Sequence, residues 1–402
     1  MAVDLPAPVF RPIDFKTRLP ALDGIRALAI TLVFFEHYGG GSHGGFILRV
    51  LGEARKRGWV GVDLFFVLSG FLITGILYDT RNDSHFFKRF YARRSVRIFP
   101  IFYLLAIILL VITPIFQYQW HWLHLTFLVY LGNFFANYDF SLYDIVSRNH
   151  PTARLFIGHL WSLCVEEQFY LIWPLAVWAI RDRIRLIWTA AGLSLVALAL
   201  RCVMCMHFSP ELSEQWIMRT LPFRMDSLLF GGILALLLRG PAADRYQRMS
   251  RSVFLAASAG VLAIFALSPA YDSPWLLTIG LTLIAAASAG LIGATVKTGS
   301  FEFRFFSPKP LLTLGKYSYG FYVYHLLYRW AWIQFLVFLG KKTHSIALAG
   351  IIELTSVFVV TFIVSKLSYD LFEVRFLRYK KKFEYDSEIR THQTNFEAEL
   401  KV

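Results

Sequence analysis

Long apolar runs separated by short basic clusters occupy nearly the whole chain. Runs near the roughly 20 residues that a hydrocarbon core of about 30 Å requires fall at 21–38, 58–79, 97–117, 159–180, 184–205, 219–238, 252–268, 275–296, 317–339 and 347–370. The pattern predicts an all-α, polytopic membrane helix bundle of ten or so transmembrane helices. A further apolar stretch, 120–135, is shorter and richer in His, Trp and Asn, and reads as a re-entrant or interfacial segment. Residues 1–20 contain four prolines and no apolar core, which suits a cytoplasmic lead-in and not a signal peptide. The membrane domain is then 21–378, and 379–402 is a charged cytoplasmic tail.

Charge sets the expected orientation. With the N-terminus inside, ten spans put the basic segments 181–185, 239–251, 297–309 and 375–382 in the cytoplasm, and 209–215 and 271–274 outside. The chain is therefore placed in the cytoplasmic (inner) membrane with both termini cytoplasmic. Loop 39–57, with Arg49, Arg55, Lys56 and Arg57, is an exception to the rule. The most basic cytoplasmic loop is 84–100, where Lys88, Arg89, Arg93, Arg94 and Arg97 alternate with aromatic residues.

Composition narrows the class. Of the 402 residues 56% are hydrophobic and only 17% charged, which excludes an ordinary soluble domain. The net charge of +14 is spread in clusters between apolar runs, so it reads as topology signals with no nucleic-acid partner. Cys164, Cys202 and Cys205 lie in apolar segments and read as packing residues. His121 and His124 could share a face, yet no further ligands lie nearby, and no metal is expected.

Ionisable groups at membrane depth are costly and usually face a bundle interior or an aqueous path. Here they recur: Arg26, Glu36 and His37 in the first span, Asp63 in the second, Glu166 and Glu167 in the fourth, Arg224 and Asp226 in the sixth, Lys316 and His325 around the ninth. Arg26 and His37 are 11 residues apart, about three turns, so they share a face roughly 16 Å apart along the axis. Ser69 lies in the same span as Asp63, and Glu166 shares a polar stripe with Ser162 and Tyr170. A histidine beside a buried carboxylate suits general-base work on a hydroxyl.

Five blocks, in order, carry a family resemblance: LDGIRALAITLVFFEH, GVDLFFVLSGFLIT, RRSVRIFP, WSLCVEEQFYLIWP and LGKYSYGFYVYH. They resemble the acyltransferase 3 family of multi-pass membrane O-acyltransferases, with Val374 standing where the family often has a proline after the glutamate. The resemblance implies transfer of an acyl group, usually acetyl, from cytoplasmic acyl-CoA to a hydroxyl of an extracytoplasmic glycan or lipid-linked saccharide. It implies His37 as the essential histidine, Arg26 as its basic companion, and Arg94 with Arg97, next to Arg93, as the arginines that meet the CoA nucleotide. Glu166 or Asp63 would orient the imidazole, and Ser69, Tyr170, Lys316, Tyr319, Tyr322 and His325 would line the pocket. Direct attack on the thioester and passage through an acyl-enzyme both fit. The partners implied are membrane lipid, acyl-CoA and the glycan acceptor. Some members add a periplasmic hydrolase-like domain. This chain is expected to work without one, with acceptor choice resting on outer loops 39–57, 118–158 and 206–218. The rival class is a transporter or exporter without covalent chemistry, since intramembrane Arg, Glu and His also build substrate paths.

Overall fold

The computed structural model describes residues 19–38, 52, 55–137, 144–149, 153–268 and 270–385. Most of the lead-in, most of loop 39–57, parts of 118–158 and the tail beyond Tyr385 lie outside the described residues. The main helices are α1 (Pro20–His37), α2 (Val60–Asp79), α3 (Phe86–Phe116), the short α4 (Gly132–Ala136), α5 (Trp161–Ala179), α6 (Arg183–His207), α7 (Pro210–Arg219) and α8 (Leu221–Leu237). They are followed by α9 (Ala243–Leu267), α10 (Leu281–Thr295, led in by a π turn over Leu276–Gly280), α11 (Phe301–Phe306), α12 (Lys309–Tyr324), α13 (Arg329–Thr343) and α14 (Ile346–Ser368).

Each apolar run falls on helix, but the count of ten is not reproduced by length and composition. Among the described residues six helices are long and apolar enough to cross a membrane on their own, or seven if α7 and α8, bent by 45°, count as one span. The shortfall has a physical reason. α1 carries Asp23, Arg26 and Glu36, α5 carries Glu166 and Glu167, and α12 has only 16 residues. α1 is mostly buried, as is α12 from Gly315 on, whereas α5 turns Tyr170 and Trp173 inward and leaves Leu171, Ile172, Leu175 and Trp178 exposed.

Three further expectations change. The basic stretch 84–100 is no loop: α3 starts at Phe86 and runs 31 residues, about 46 Å at 1.5 Å per residue, so Lys88 to Arg97 occupy its first turns. The ninth run is broken. α12 stops at Tyr324, and i→i+3 bonds from Leu327 N–H to the Tyr324 carbonyl (3.3 Å) and from Arg329 N–H to the Leu326 carbonyl (3.1 Å) turn the chain into α13. The fold is also not wholly helical. β1 (Tyr118–Gln119), β2 (Asp144–Ser147) and β3 (Arg154–Phe156) form an antiparallel sheet, with Tyr118 opposite Ser147 and Ile145 opposite Leu155. Ile145 and Leu155 are buried while their neighbours are more open, the period of two that a half-buried strand imposes. Strands this short leave no trace in a window scaled to a membrane helix.

The segment 120–135 becomes a 3-10 helix, Trp122–Val129, followed by α4. His121 and His124 explain its start. The His121 ring accepts from Leu123 N–H (3.3 Å), and the His124 ring accepts from His121 N–H (3.0 Å), a reciprocal cap built from two imidazoles.

Burial separates central from peripheral helices. In α14 the buried residues are Ala349, Glu353, Val357, Thr361 and Ser365, one i, i+4 stripe, whereas Ile351, Val360, Ile363 and Leu367 are exposed. α6 buries Leu186, Ala190, Ser194, Ala197 and Arg201 in the same way. Such helices give one narrow ridge to the bundle and an apolar face to lipid. α2 differs, with 72% of its apolar window buried against 17% for α9. Its closest neighbour is α8, and glycine sets the crossing: a Cβ on Gly70 would strike the Leu228 carbonyl, and one on Gly231 the Val67 carbonyl. The crossing of α1 with α12 repeats the device, Gly315 lying against the backbone of Asp23.

Gly70→Val should therefore overpack the α2/α8 crossing and lower stability by about 1–3 kcal/mol. Thermal melts in detergent check this, with Gly192→Ala, where a Cβ meets nothing within 4 Å, melting like the parent.

Candidate active site

The polar groups of the bundle fall into three layers along α1 and α12. At the end where α1 begins, a cavity of about 520 Å³ is lined by Asp23 and Arg26 from α1, Asp79 from α2, Arg97 from α3, Arg239 after α8, Lys316 and Tyr319 from α12, and Tyr369, Glu373, Leu377 and Lys380 from the segment after α14. Five cations against three carboxylates give the lining a formal excess of two positive charges. Arg26 is hydrogen-bonded to Asp23, one turn away. Arg239 grips Asp79 with two parallel bonds, Nε to Oδ1 at 2.8 Å and Nη2 to Oδ2 at 2.7 Å, a fork that fixes the guanidinium in the wall. Arg97 and Lys316 are exposed to this space. Lys316 Nζ lies 4.9 Å from the Tyr317 ring centre and 4.7 Å from that of Tyr369. A concave site rich in guanidinium and ammonium groups suits a polyanion.

The middle layer joins α2, α3 and α5. Arg94 stacks on the Tyr170 ring with Cζ 4.0 Å from the centre, within electrostatic reach of Glu166 and Glu167. The Tyr170 hydroxyl is hydrogen-bonded to Ser69. Gln168 Nε2 donates to the Tyr130 carbonyl (2.8 Å) and to Asn133 Oδ1 (2.9 Å), tying α5 to the segment before α4. Arg94 thus belongs to a buried carboxylate layer and is not on the cavity wall, while Arg97, one turn on, is. Arg93 lies elsewhere again, donating to the Phe383 carbonyl (3.2 Å).

The third layer is made of imidazoles. The ring centres of His37 and His325 are 5.2 Å apart and those of His325 and His159 5.3 Å. Tyr322 packs on both His159 and His325. Its hydroxyl donates to the His159 carbonyl (2.6 Å) and accepts from Ser162 (2.6 Å). The tautomers follow from the partners, because a carbonyl can only accept. His37 Nδ1 contacts the Val33 carbonyl at 2.8 Å and so carries the proton, leaving the Nε2 lone pair for other work. His325 Nδ1 likewise donates to the Tyr322 carbonyl (2.7 Å), and its buried Nε2 has no hydrogen-bond partner among the described residues. The Tyr38 hydroxyl donates to the His325 carbonyl (2.5 Å), locking the end of α1 to the end of α12. Arg329 and Glu36 lie within electrostatic reach of this layer.

α12 connects the layers. Lys316, Tyr319, Tyr322 and His325 recur at i, i+3, i+6 and i+9, a row whose neighbours are about 60° apart and which winds half a turn around the helix, with the first two on the cavity and the last two among the imidazoles. α1 does the same with Arg26 and His37.

The structure assigns Asp63 differently from an imidazole partner. Its Oδ1 accepts from Arg224 Nη2 (2.7 Å) and Ser227 Oγ (2.9 Å), both on α8, and the pair is fully buried. A second buried pair, Arg201 to Asp226 (2.7 Å), extended by Thr282, ties α6 and α8 to the helix of α10. Glu166 too sits with Arg94 and Tyr170, a layer away from His37.

The family profile of this acyltransferase domain matches residues 19–369. The chain belongs to the acyltransferase 3 family. It is 31% identical over 328 residues to the putative peptidoglycan O-acetyltransferase YrhL of Bacillus subtilis, covering 76% of this chain and 48% of the relative. It is 29% identical over 321 residues to the O-acetyltransferase OatA of Staphylococcus aureus, covering 76% and 50%, and 28% identical over 323 residues to the peptidoglycan O-acetyltransferase OatA of Listeria monocytogenes, covering 76% and 49%. The chain thus spans about half the length of the curated relatives it matches. No solved structure matches it.

In this family member the residue that the sequence reading passed over is His159. Its signal was present: it precedes Ser162 by three positions, on the polar stripe already noticed. Arg239, Asp79 and Lys380 gave none, since each reads as an ordinary charge at a helix end.

The Asp63–Arg224 pair supports the fold. Removing either partner by Asp63→Ala or Arg224→Ala should cost about 3–5 kcal/mol, and the apolar double variant Asp63→Leu with Arg224→Met should recover most of it. Melting of the three variants in detergent checks this; unchanged melting in both single variants would overturn the structural role.

Proposed function

We propose that the chain is a membrane O-acyltransferase that moves an acyl group, acetyl in the simplest case, from acyl-CoA in the cytoplasm to a hydroxyl of an extracytoplasmic glycan or lipid-linked saccharide. The observation that carries the proposal is a cationic cavity joined to an imidazole layer along α1 and α12, with Arg26 and His37 on one face of α1 and the row from Lys316 to His325 climbing α12 beside it. The cavity has the charge and size for the phosphates of a CoA nucleotide. The names of the relatives, two of them peptidoglycan O-acetyltransferases, support a glycan acceptor.

On this reading the cavity end is cytoplasmic and ten spans carry the chain. Leu19 and Lys380 line the same cavity, so the helices between them cross an even number of times, as ten do. Arg97, Lys316 and Lys380 hold phosphate, and the thioester arm follows the face of Tyr319 and Tyr322 toward His37. His37 Nε2 takes the proton of the acceptor hydroxyl. The oxygen attacks the thioester carbon, the C–S bond breaks, and the imidazolium returns the proton to the departing CoA sulfur. The Val33 carbonyl, by holding Nδ1–H, keeps the base in the tautomer the step needs.

With purified protein in liposomes and labelled acetyl-CoA, transfer of label to an envelope glycan is expected, and His37→Ala should lower it by about 10²–10⁴-fold while CoA binding persists. Arg97→Ala with Lys316→Ala should weaken CoA binding. Undiminished transfer by His37→Ala would remove the base; movement of unmodified substrate across the bilayer without transfer would favour a transporter.

A further inference from the structure

One wall of the donor cavity is the continuation of α14, which stays helical without a break to Phe383. After α14 the chain makes a π turn, Tyr369–Glu373, a single α turn, Val374–Leu377, and a 3-10 turn, Arg378–Phe383. Tyr369, Glu373, Leu377 and Lys380 from this segment stand in the cavity wall opposite Arg26, Arg97 and Arg239. Its first turn is held there by the Tyr369 ring under Lys316 Nζ at 4.7 Å and by Glu373 within electrostatic reach of Arg97. Beyond Glu373 the segment is strongly basic, with Arg375, Arg378, Lys380, Lys381 and Lys382, and this part needs another hold.

Its anchor is Arg93. The guanidinium donates from Nη1 to the Phe383 carbonyl (3.2 Å) and lies with Cζ 4.7 Å from the centre of the Tyr385 ring. Tyr385 is itself buried, 4% exposed, so its ring is a fixed plate for the cation and not a loose surface aromatic. Arg93 does not line the cavity. Of the three clustered arginines on α3, Arg97 reaches the cavity, Arg94 the carboxylate layer, and Arg93 the end of the terminal segment.

We infer that residues 369–385 are a wall of the donor site that supplies Lys380 to the phosphates, and that Arg93 is a positioning residue which acts by clasping this segment through Phe383 and Tyr385. The inference rests on reading the cavity as the CoA site. A bound polyanion would draw Lys380 and Arg97 toward the same point, so ligand and clasp favour the same arrangement, and each should strengthen the other.

The test uses the full chain in detergent and two readouts. The first is tryptic cleavage between Arg375 and Lys382, followed by mass spectrometry with and without CoA. The second is CoA affinity by calorimetry. Arg93→Ala and Tyr385→Ala should each speed cleavage in the absence of CoA, and each should raise the CoA dissociation constant about tenfold, the scale of one cation–π contact with one hydrogen bond. Tyr385→Phe, which keeps the ring, should restore both. The double variant should be no worse than either single one, because both remove the same clasp. If Arg93→Ala weakens CoA binding while Tyr385→Ala leaves affinity and cleavage at parental values, Arg93 meets the ligand itself and the inference falls. If the parent binds no CoA yet Arg93→Ala still speeds cleavage, the donor reading falls and the clasp alone stands. Cleavage unchanged in both variants overturns the clasp whatever CoA does.

Discussion

Every ionisable group inside an apolar bundle must find a partner or open space, and this constraint organises the protein. A lone charge in hydrocarbon is expensive, and even a paired one repays its desolvation only with good geometry. The chain meets the demand in two ways. Asp63 with Arg224 and Asp226 with Arg201 are closed pairs at 2.7 Å, buried between α2, α6, α8 and the helix of α10. Arg97, Lys316 and Lys380 instead face a cavity. The first group holds helices together, and the second lines open space. Placing a residue in one group or the other requires its neighbours, because Asp63 and Glu166 look alike as isolated carboxylates in apolar sequence.

That distinction explains what the sequence disclosed and what it hid. Helix positions were legible because lipid imposes one length and one composition on any run that crosses it. The common face of Arg26 and His37 followed from helical periodicity alone, whereas the placement of Lys316 and Tyr319 on the cavity and of Tyr322 and His325 among the imidazoles needed the structure. The small sheet was hidden, since strands of two to four residues carry no window-scale signal. The break at 325–328 was hidden as well, because the residues across it stay apolar and aromatic. Asp63 beside Arg224 required knowing that α2 and α8 cross at Gly70 and Gly231, a pairing between positions about 160 residues apart. The divergence of Arg93, Arg94 and Arg97 onto three environments is the same lesson at short range: on a helix, adjacent positions point about 100° apart, so a basic cluster is one feature in sequence and three in space.

The charge-pair scaffold also bears on the site. α2 is gripped by α8 through glycine contacts and by the Asp63–Arg224 pair, and α1 lies against α2 where Gly61 meets the Ala29 carbonyl. α1 in turn is fixed to α12 at both ends. Gly315 abuts the Asp23 backbone beside the cavity, the Phe34 and Phe321 rings meet edge to face at 5.6 Å midway, and the Tyr38 hydroxyl reaches the His325 carbonyl at the far end. Three contacts along one helix pair leave neither helix free to slide.

A pair of helices that cannot slide is a ruler. Arg26 and His37 are 11 residues apart and Lys316 and His325 nine, which at 1.5 Å per residue sets offsets of about 16 and 14 Å between cation and imidazole. The two offsets nearly agree, so both helices present their charged and basic groups at matching depths. On the proposed reading, a donor held by its phosphates at one end has its reactive carbonyl delivered at a depth fixed by backbone geometry and not by side-chain flexibility. Selection of the donor then rests on arm length, because a thioester on a shorter carrier anchored at the same cations would stop short of His37. The acyl chain beyond the carbonyl meets no such gauge from these two helices, and its limit is set where Tyr38, Tyr322 and His159 close around the imidazoles.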